Sequence, residues 1–86
     1  MACYKIEFKA SAKKQLLQLP KPIINKVSAL IDILATNPHP IGHKKLVGSD
    51  STYRIRCGDY RIIYSVFEQR LIINIVKIGH RKDVYK

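Results

Sequence analysis

The feature that most constrains the fold of this chain is a Gly-Asp pair at positions 58 and 59, which separates two stretches of alternating apolar and polar residues. Such alternation is typical of strands with one buried face, and a Gly-Asp pair between two of them predicts a tight hairpin. A two-residue turn places Cys57 opposite Tyr60 and Arg56 opposite Arg61. Because like charges that face each other destabilise a sheet, we interpret these arginines as a site for an anionic group, with phosphate as the first candidate.

The register of the hairpin also predicts which face of the sheet is buried. The expected core face is almost wholly apolar and comprises Tyr53, Ile55, Cys57, Tyr60, Ile62, Tyr64, Val66, Leu71, Ile73 and Ile75. The expected open face carries Arg54, Arg56, Arg61, Ile63, Ser65, Asn74 and Val76. The open face is therefore the candidate site.

Periodicity along the chain predicts the remaining elements. Tyr4 to Phe8 alternate as a first strand, Ser11 is expected to cap a short helix that Pro20 stops, and Pro22 is expected in the opening turn of a second helix. A loop should follow from about 37 to 51, and then three strands at about 52–57, 60–67 and 70–78, the last two joined by positions 68 and 69. This order, β-α-α-β-β-β, predicts an α+β domain with two helices packed on one face of a mostly antiparallel sheet.

Length and charge limit the function classes. The 86 residues are expected to form one domain spanning 1–86, and 16 Lys and Arg against six Asp and Glu give a net charge of +10. So much positive charge favours a polyanionic partner, with nucleic acid first. Membrane association and export are not indicated, since no apolar run approaches the roughly 18 residues of a spanning helix and no signal peptide is evident. We expect a cytoplasmic protein in which Cys3 and Cys57 lie in strands as small buried residues.

Two interpretations of the open-face arginines remain: a solvated strand face that keeps the sheet soluble, or a site. The end of the chain favours a site. Val76 and Ile78 alternate with Lys77 and lead to Gly79, so the last strand is expected to deliver His80 and Arg81 near the same sheet. Arginine binds phosphate and stabilises the charge of a transition state, histidine moves protons near neutral pH, and Tyr85 is an aromatic residue able to stack on a base. This set fits cleavage of RNA by its own 2′-hydroxyl.

Two motifs carry a resemblance to a known family. Tyr53-Arg-Ile-Arg-Cys-Gly-Asp-Tyr-Arg-Ile-Ile-Tyr64 and Gly79-His-Arg-Lys-Asp-Val-Tyr85, preceded by Lys45-Leu-Val-Gly48, are similar to the RelE branch of the RelE/ParE superfamily of toxin–antitoxin toxins. The resemblance covers essentially all 86 residues. It implies a ribosome-dependent mRNA endonuclease that cuts the codon in the decoding site, leaves a 2′,3′-cyclic phosphate and inhibits translation. It also implies an acidic, RelB-like antitoxin in a toxin–antitoxin hetero-oligomer, and contact with ribosomal RNA.

The resemblance also assigns roles. Arg61 matches the arginine that binds the scissile phosphate, Arg81 the one that protonates the leaving oxygen, and Tyr85 the tyrosine that stacks on or orients the substrate nucleotide. Arg54 and Arg56 stand where a well-known branch has lysines, the first of them proposed as general base. Lys44, Lys45 and Lys82 join Arg54 as expected substrate-binding residues.

The departures from the family pattern affect proton transfer. Arginine is a poor base because its pKa exceeds about 12, so Arg54 is expected to hold phosphate rather than take a proton. His80 is the alternative acid or base, or else only a hydrogen-bonding residue at the chain end. His39 and His43 are expected at the surface, and no metal site or cofactor is indicated because neither cysteines nor histidines have ligand spacing.

Two other function classes stay open. The ParE branch shares the fold but poisons DNA gyrase without a nuclease site. The third class is a basic domain that binds RNA or ribosomes without cutting. A cleavage assay on programmed ribosomes beside a gyrase supercoiling assay separates the three, because only the nuclease cuts and only the ParE-like toxin blocks supercoiling.

Overall fold

The computed structural model describes residues 3–39, 44–45 and 51–80. The elements in chain order are β1 (Lys5–Phe8), α1 (Ala10–Leu17), α2 (Lys21–Thr36), β2 (Lys44–Lys45), β3 (Thr52–Cys57), β4 (Tyr60–Phe67) and β5 (Ile72–His80). The predicted α+β class and order are confirmed, with one addition. The pair Lys44–Lys45, expected within a loop, is a short strand.

The five strands form one sheet in the order β1-β5-β4-β3-β2. β1 pairs in parallel with β5, and every other pair is antiparallel, so the sheet is mostly antiparallel as predicted. The first and last strands of the chain are therefore neighbours. This arrangement leaves β5, β4 and β3 in the interior of the sheet, each paired with a strand on both sides.

The two helices start for different reasons. Ser11 was predicted to cap α1, and this is wrong: the cap is Lys9, without a side-chain hydrogen bond. Lys9 still belongs to the parallel ladder, since its N–H donates to the Ile75 carbonyl at 2.9 Å, so the chain stays extended through Lys9 and turns helical at the next residue. α2 begins as predicted, with Pro22 in its first turn, where a missing N–H costs nothing.

Both helices cover the same face of the sheet. α1 packs against β5 and β1, and α2 against β1 and β3. The shared core consists of Ala12, Leu16, Val27, Ile31 and Leu34 from the helices, and Ile55, Ile62, Tyr64, Val66, Ile73, Ile75 and Ile78 from the sheet. No described element covers the other face, which agrees with the predicted division into a core face and an open face. One predicted open-face residue differs: Ser65 is 8% exposed, and its hydroxyl lies 3.0 Å from that of Thr52.

The first hairpin matches its prediction and the second does not. Gly58 has φ 62°, as a two-residue turn requires, and Arg56 faces Arg61 while Cys57 faces Tyr60. The second turn was predicted at positions 68 and 69, but β5 begins only at Ile72. Leu71 lies in the turn with φ 54° and is 40% exposed, so its expected place on the core face is wrong.

A β-bulge shifts the register in the middle of β5. Ile63 pairs with Lys77 whereas Tyr64 pairs with Ile75, so Val76 has no partner on β4. Val76 and Ile78 were expected to share a face, but Ile78 is buried opposite Ile62 in the core. The extra residue restarts the alternation with opposite phase.

The solvent exposure of the cysteines and of His39 tests two further predictions. Cys3 is exposed and precedes β1, so its assignment to a buried strand position is wrong, while Cys57 lies in β3 and packs against the core. His39 is exposed as predicted, whereas His43 lies outside the described residues. Within the described parts of the chain, no helix is long and apolar enough to cross a membrane.

Candidate functional site

Among the described residues, Lys5 on β1 lies on the open face of the sheet and pairs with Glu7 at 4.0 Å, and five further cationic residues lie on the same face of the other four strands. They are Lys44 on β2, Arg54 and Arg56 on β3, Arg61 on β4, and Lys77 on β5. Residues paired across strands share a face, and alternate residues of one strand do too, so the pairing places all five on the side away from the helices. We call this set the cationic face.

The outer row of the cationic face lies next to the Gly58 turn. Arg56 faces Arg61, and Arg61 faces Gly79 on β5. Directly opposite side chains have Cβ atoms about 5 Å apart, so the two guanidinium groups are within reach of one phosphate. Gly79 has no side chain, which leaves room beside Arg61 for a ligand to approach the backbone. The Arg61 guanidinium makes one long hydrogen bond, at 3.4 Å, to the carbonyl of Tyr60.

The inner row lies two pairs further from the turn, beyond the core-facing pair of Ile55 and Ile62. Lys44 faces Arg54, Arg54 faces Ile63, and Ile63 faces Lys77. Ile63 is therefore flanked by cations on both sides and, two residues along its own strand, by Arg61. Ile63 is only partly buried, which makes it an apolar surface within a cationic surround.

Lys77 is the residue of this face that the sequence analysis missed. Simple alternation from Ile73 and Ile75 predicts that position 77 points into the core, and only the bulge at Val76 brings Lys77 to the open face. The spacing of Ile75 and Ile78 is the hint of a bulge in the sequence, because two apolar residues on one face of a regular strand would be an even number of positions apart.

The structure places His80 on the other side of the sheet. His80 pairs with Tyr60, and their rings meet edge to face with centroids 5.7 Å apart. Tyr60 belongs to the alternation of Ile62 and Tyr64, which is the core side. The imidazole therefore does not share a face with Arg61, and the role predicted for it stays a prediction.

The other predicted site residues fall into two groups. Lys45 pairs with Tyr53 and so lies on the side opposite to Lys44, at the exposed edge strand. Arg81, Lys82 and Tyr85 lie outside the described residues. The structure thus brings Arg54, Arg56, Arg61 and Lys44 together and separates Lys45 and His80 from them.

A buried tyrosine cluster supports the strands behind the cationic face. Tyr64 donates a hydrogen bond from its hydroxyl to the Pro38 carbonyl at 2.8 Å, and its ring stacks on Tyr53 at 5.9 Å. Burial, and then the neighbouring Tyr53, raise the pKa of Tyr64 to about 12. His39 contacts Tyr53 edge to face and lies 3.3 Å from a carboxylate oxygen of Glu68. These contacts join the end of α2 to the central strands.

One described acidic side chain, Glu7 on β1, lies on the open face of the sheet. Glu7 pairs with Lys5 at 4.0 Å, and His39 pairs with Glu68 at 3.3 Å. Neither pair includes Arg56, Arg61 or Lys77. Within ranges 3–39, 44–45 and 51–80, no group of three His, Cys, Asp or Glu residues is arranged to hold a metal ion.

Comparison with known proteins agrees with this fold. The sequence model of a family described as the ParE toxin of the type II toxin–antitoxin system parDE matches residues 6–85. A putative toxin RelE1 of Methanocaldococcus jannaschii is 38% identical, with 96% of each chain covered. A putative RelE-like toxin protein of Escherichia coli is 34% identical, over 95% of this chain and 90% of that protein. The RelE–RelB complex of Pyrococcus horikoshii OT3 contains a chain with TM-score 0.83 and 34% identity, covering 94% of this chain and 98% of that one.

The fold, the cationic face and these relatives define a toxin of a type II toxin–antitoxin module. The chain belongs to the RelE/ParE superfamily, and it is RelE-like. The family predicted from the two sequence motifs is thereby confirmed.

Proposed function

We propose that this toxin is a ribosome-dependent mRNA endonuclease that cuts the codon held in the decoding site and so stops translation. The observation that carries the proposal is the facing pair Arg56 and Arg61 on a sheet face that no described element covers. Two opposed guanidinium groups repel each other in the free protein, and a bound phosphate removes that repulsion. The RelE-like relatives support the same activity.

In the proposed reaction the 2′-oxygen attacks the neighbouring phosphorus, and the bond from phosphorus to the 5′-oxygen breaks. The 2′-hydroxyl loses its proton, the 5′-oxygen gains one, and the products are a 2′,3′-cyclic phosphate and a 5′-hydroxyl end. Arg61 and Arg56 bind the non-bridging oxygens, whose negative charge grows in the transition state. A donor aimed at such developing charge contributes roughly 100- to 1000-fold in rate.

The remaining roles follow the family pattern. Arg81 protonates the leaving oxygen and Tyr85 stacks on the substrate nucleotide, both at positions outside the described residues. Arg54 stands beside Ile63 and holds phosphate rather than accepting a proton, because a guanidinium group is already protonated and has no free lone pair to take another.

The shape of the site favours dependence on the ribosome. The cationic face is an uncovered sheet surface with Arg56 exposed. Such a surface attracts a strand but does not itself force the 2′-oxygen, the phosphorus and the 5′-oxygen into line. A ribosome that holds the codon in one conformation supplies that orientation, which is a large part of the barrier for an intramolecular attack.

The proposal includes a partner and a location. The similar Pyrococcus toxin was solved as a complex with RelB, and this chain carries a net charge of +10. We infer an acidic antitoxin that binds this toxin in a hetero-oligomer and blocks its cationic face. Since the proposed substrate is on the ribosome, we also infer a cytoplasmic location.

Purified toxin added to ribosomes programmed with a defined mRNA tests the proposal. We expect cleavage within the codon in the decoding site, and none of the same mRNA free in solution. A 2′-deoxy substitution at the attacking nucleotide should abolish the cut while ribosome binding persists. Binding without any cleavage would support the plain RNA-binding domain instead.

A second candidate, inhibition of DNA gyrase, is favoured by one finding, which is that the matching family model is described by the ParE toxin. A supercoiling assay on the same preparation decides between the two. We expect gyrase activity to be unchanged at toxin concentrations that cut mRNA. Loss of supercoiling together with uncut mRNA would replace the endonuclease proposal.

A further inference from the structure

The bulge in β5 is followed by a contact with α1. Val76 is unpaired, so the backbone around it departs from the regular ladder. Two residues further on, Ile78 is again paired with Ile62 on β4, and its N–H donates to the side-chain oxygen Oε1 of Gln15 on α1, at 2.9 Å. A partly buried N–H is thereby satisfied by a helix on the core side. The strand is thus tied to α1 two residues beyond the bulge.

The bulge has one consequence for each face. On the core side it brings Ile78 into the apolar cluster, where it is 1% exposed. On the open side it brings the ammonium group of Lys77 into the inner row, opposite Ile63. Bulges commonly redirect side chains next to functional sites, and here the redirected side chain adds a cation to a face that is already cationic.

Lys77 stands at a defined separation from the other cations. Ile63 lies between Lys77 and Arg54 in the sheet, so the backbones of these two residues are about 10 Å apart. Arg61 is displaced from this row by two residues along the strands, roughly 6.5 Å, on the side towards the turn. A lysine is a compact charge with a flexible stem, suited to bind a phosphate without demanding one orientation.

We propose that Lys77 binds the mRNA phosphate adjacent to the one held by Arg61, with Ile63 as an apolar floor under the ribose or base between them. This inference rests on the proposed function, since it assigns a second phosphate-binding position to the same substrate. Two phosphate contacts on different strands fix the direction in which the mRNA crosses the sheet. Lys77 is thus a binding residue that orients the strand, and the bulge is the device that positions it.

The test uses variants that separate the charge of Lys77 from its packing. Lys77→Met removes the charge and keeps the apolar stem, whereas Lys77→Arg keeps the charge. Lys26→Met, at an exposed position of α2, is the matched control for loss of one positive charge. Binding is measured on ribosomes programmed with an mRNA that carries a 2′-deoxy nucleotide at the cleavage site, so that the readout does not require cleavage.

We expect Lys77→Met to weaken binding about tenfold and to lower the slope of log affinity against log salt concentration by about 0.7, the value for one contact with a single strand. On cleavable mRNA the half-saturating toxin concentration should rise while the maximal rate changes little. Lys77→Arg should restore both, and Lys26→Met should behave as wild type. Equal loss in Lys77→Met and Lys26→Met would show only a general effect of charge and would overturn the proposal.

Messenger and ribosomal RNA both offer phosphates, and a neutral methylphosphonate in the mRNA distinguishes them. It is placed on the phosphate to the 5′ side of the scissile one, and on that to the 3′ side in a second mRNA. At one of the two positions, the methylphosphonate should weaken wild-type binding to the level of Lys77→Met on unmodified mRNA. The same methylphosphonate should not weaken the binding of Lys77→Met any further. Additive losses at both positions would assign Lys77 to ribosomal RNA and contradict the proposal. If the wild-type toxin shows this binding pattern but does not cleave mRNA, the proposed endonuclease activity is wrong. The proposed phosphate-binding role of Lys77 is then still supported.

Discussion

At the scale of single residues, Tyr64 links packing to protonation. Its ring is fully buried, its hydroxyl donates to the Pro38 carbonyl, and its pKa is raised from 10.0 to about 12, mainly by burial. Between these two pH values the unfolded chain loses the phenolic proton while the folded chain keeps it. The free energy of unfolding therefore falls as pH rises from 10 towards 12, and is unaffected by this group below pH 10.

The variant Tyr64→Phe tests this linkage. At pH 8 we expect a loss of roughly 1 kcal/mol from the missing hydrogen bond. At pH 11 the difference in the free energy of unfolding between wild type and variant should shrink. The wild type has then lost on the order of 1 kcal/mol through the linkage to Tyr64, whereas the phenylalanine variant has no phenol at this position to titrate. Urea unfolding at the two pH values measures both. Parallel pH dependence of the two proteins would contradict the raised pKa.

His80 is the second residue whose role is open to a direct test. Its ring packs on Tyr60, on the side of the sheet away from Arg61. We expect His80→Ala to leave the pH dependence of single-turnover cleavage between pH 5.5 and 8 unchanged and to lower thermal stability slightly. Loss of a titration step near the ordinary histidine pKa of about 6.5 would instead make His80 the proton donor or acceptor.

Residue-level prediction from sequence worked where the turn type dictated the register. The Gly-Asp turn predicted that Arg56 faces Arg61, and the structure has that pair. It failed for Lys77, because the bulge that brings this side chain to the open face is a matter of how β5 pairs with β4, and that pairing joins residues distant in the chain. No local pattern around Lys77 carries that information.

At the scale of elements, α1 and β5 depend on each other through Gln15. Replacing Gln15 by Ala leaves the Ile78 N–H without its partner, so we expect a loss of about 1 to 3 kcal/mol in the free energy of unfolding. Gln18→Ala, at the exposed end of the same helix, is the control and should cost much less. Chemical denaturation of the two variants gives the comparison.

The same substitution tests whether the bulge positions Lys77. If Gln15→Ala loosens the bulge, binding of programmed ribosomes should weaken in the same direction as in Lys77→Met. Gln18→Ala should bind as wild type. A stable Gln15→Ala protein with full affinity would show that the bulge holds its geometry without this hydrogen bond.

Element order and strand bounds were largely predictable, because apolar periodicity and the positions of proline and glycine report local structure. Helix α1 shows the limit. Ser11 is a good capping residue, yet the parallel ladder to β5 extends through Lys9, and that long-range pairing sets where the helix begins. The strand Lys44–Lys45 was missed for a similar reason, since two residues carry no periodicity and its existence depends on pairing with β3.

At the scale of the whole molecule, charge governs encounter with partners. A net charge of +10 and an uncovered cationic face should steer an acidic antitoxin towards the toxin. We expect the association rate to fall as salt rises from 20 to 500 mM, since charges further apart than a Debye length of about 8 Å are screened at physiological salt. The dissociation rate should change much less, because buried apolar contacts are not screened. Stopped-flow mixing with the purified antitoxin measures both rates.

Arg56→Ala and Arg61→Ala distinguish steering by the cationic face from steering by the rest of the molecule. If the antitoxin approaches this face, each variant should flatten the salt dependence more than Lys26→Ala does. A rate that does not depend on salt would mean that the cationic face is reserved for RNA and that the antitoxin binds elsewhere.

The central claim is that Arg61 binds the phosphate at which mRNA is cut. Its most direct test is the single-turnover cleavage rate on programmed ribosomes for Arg61→Ala beside Arg70→Ala, which removes the same side chain from the exposed turn after β4. Thermal unfolding should first show that both variants are folded. We predict a rate reduced roughly 100-fold or more for Arg61→Ala, and a rate close to wild type for Arg70→Ala. Equal rates in the two folded variants would contradict the account.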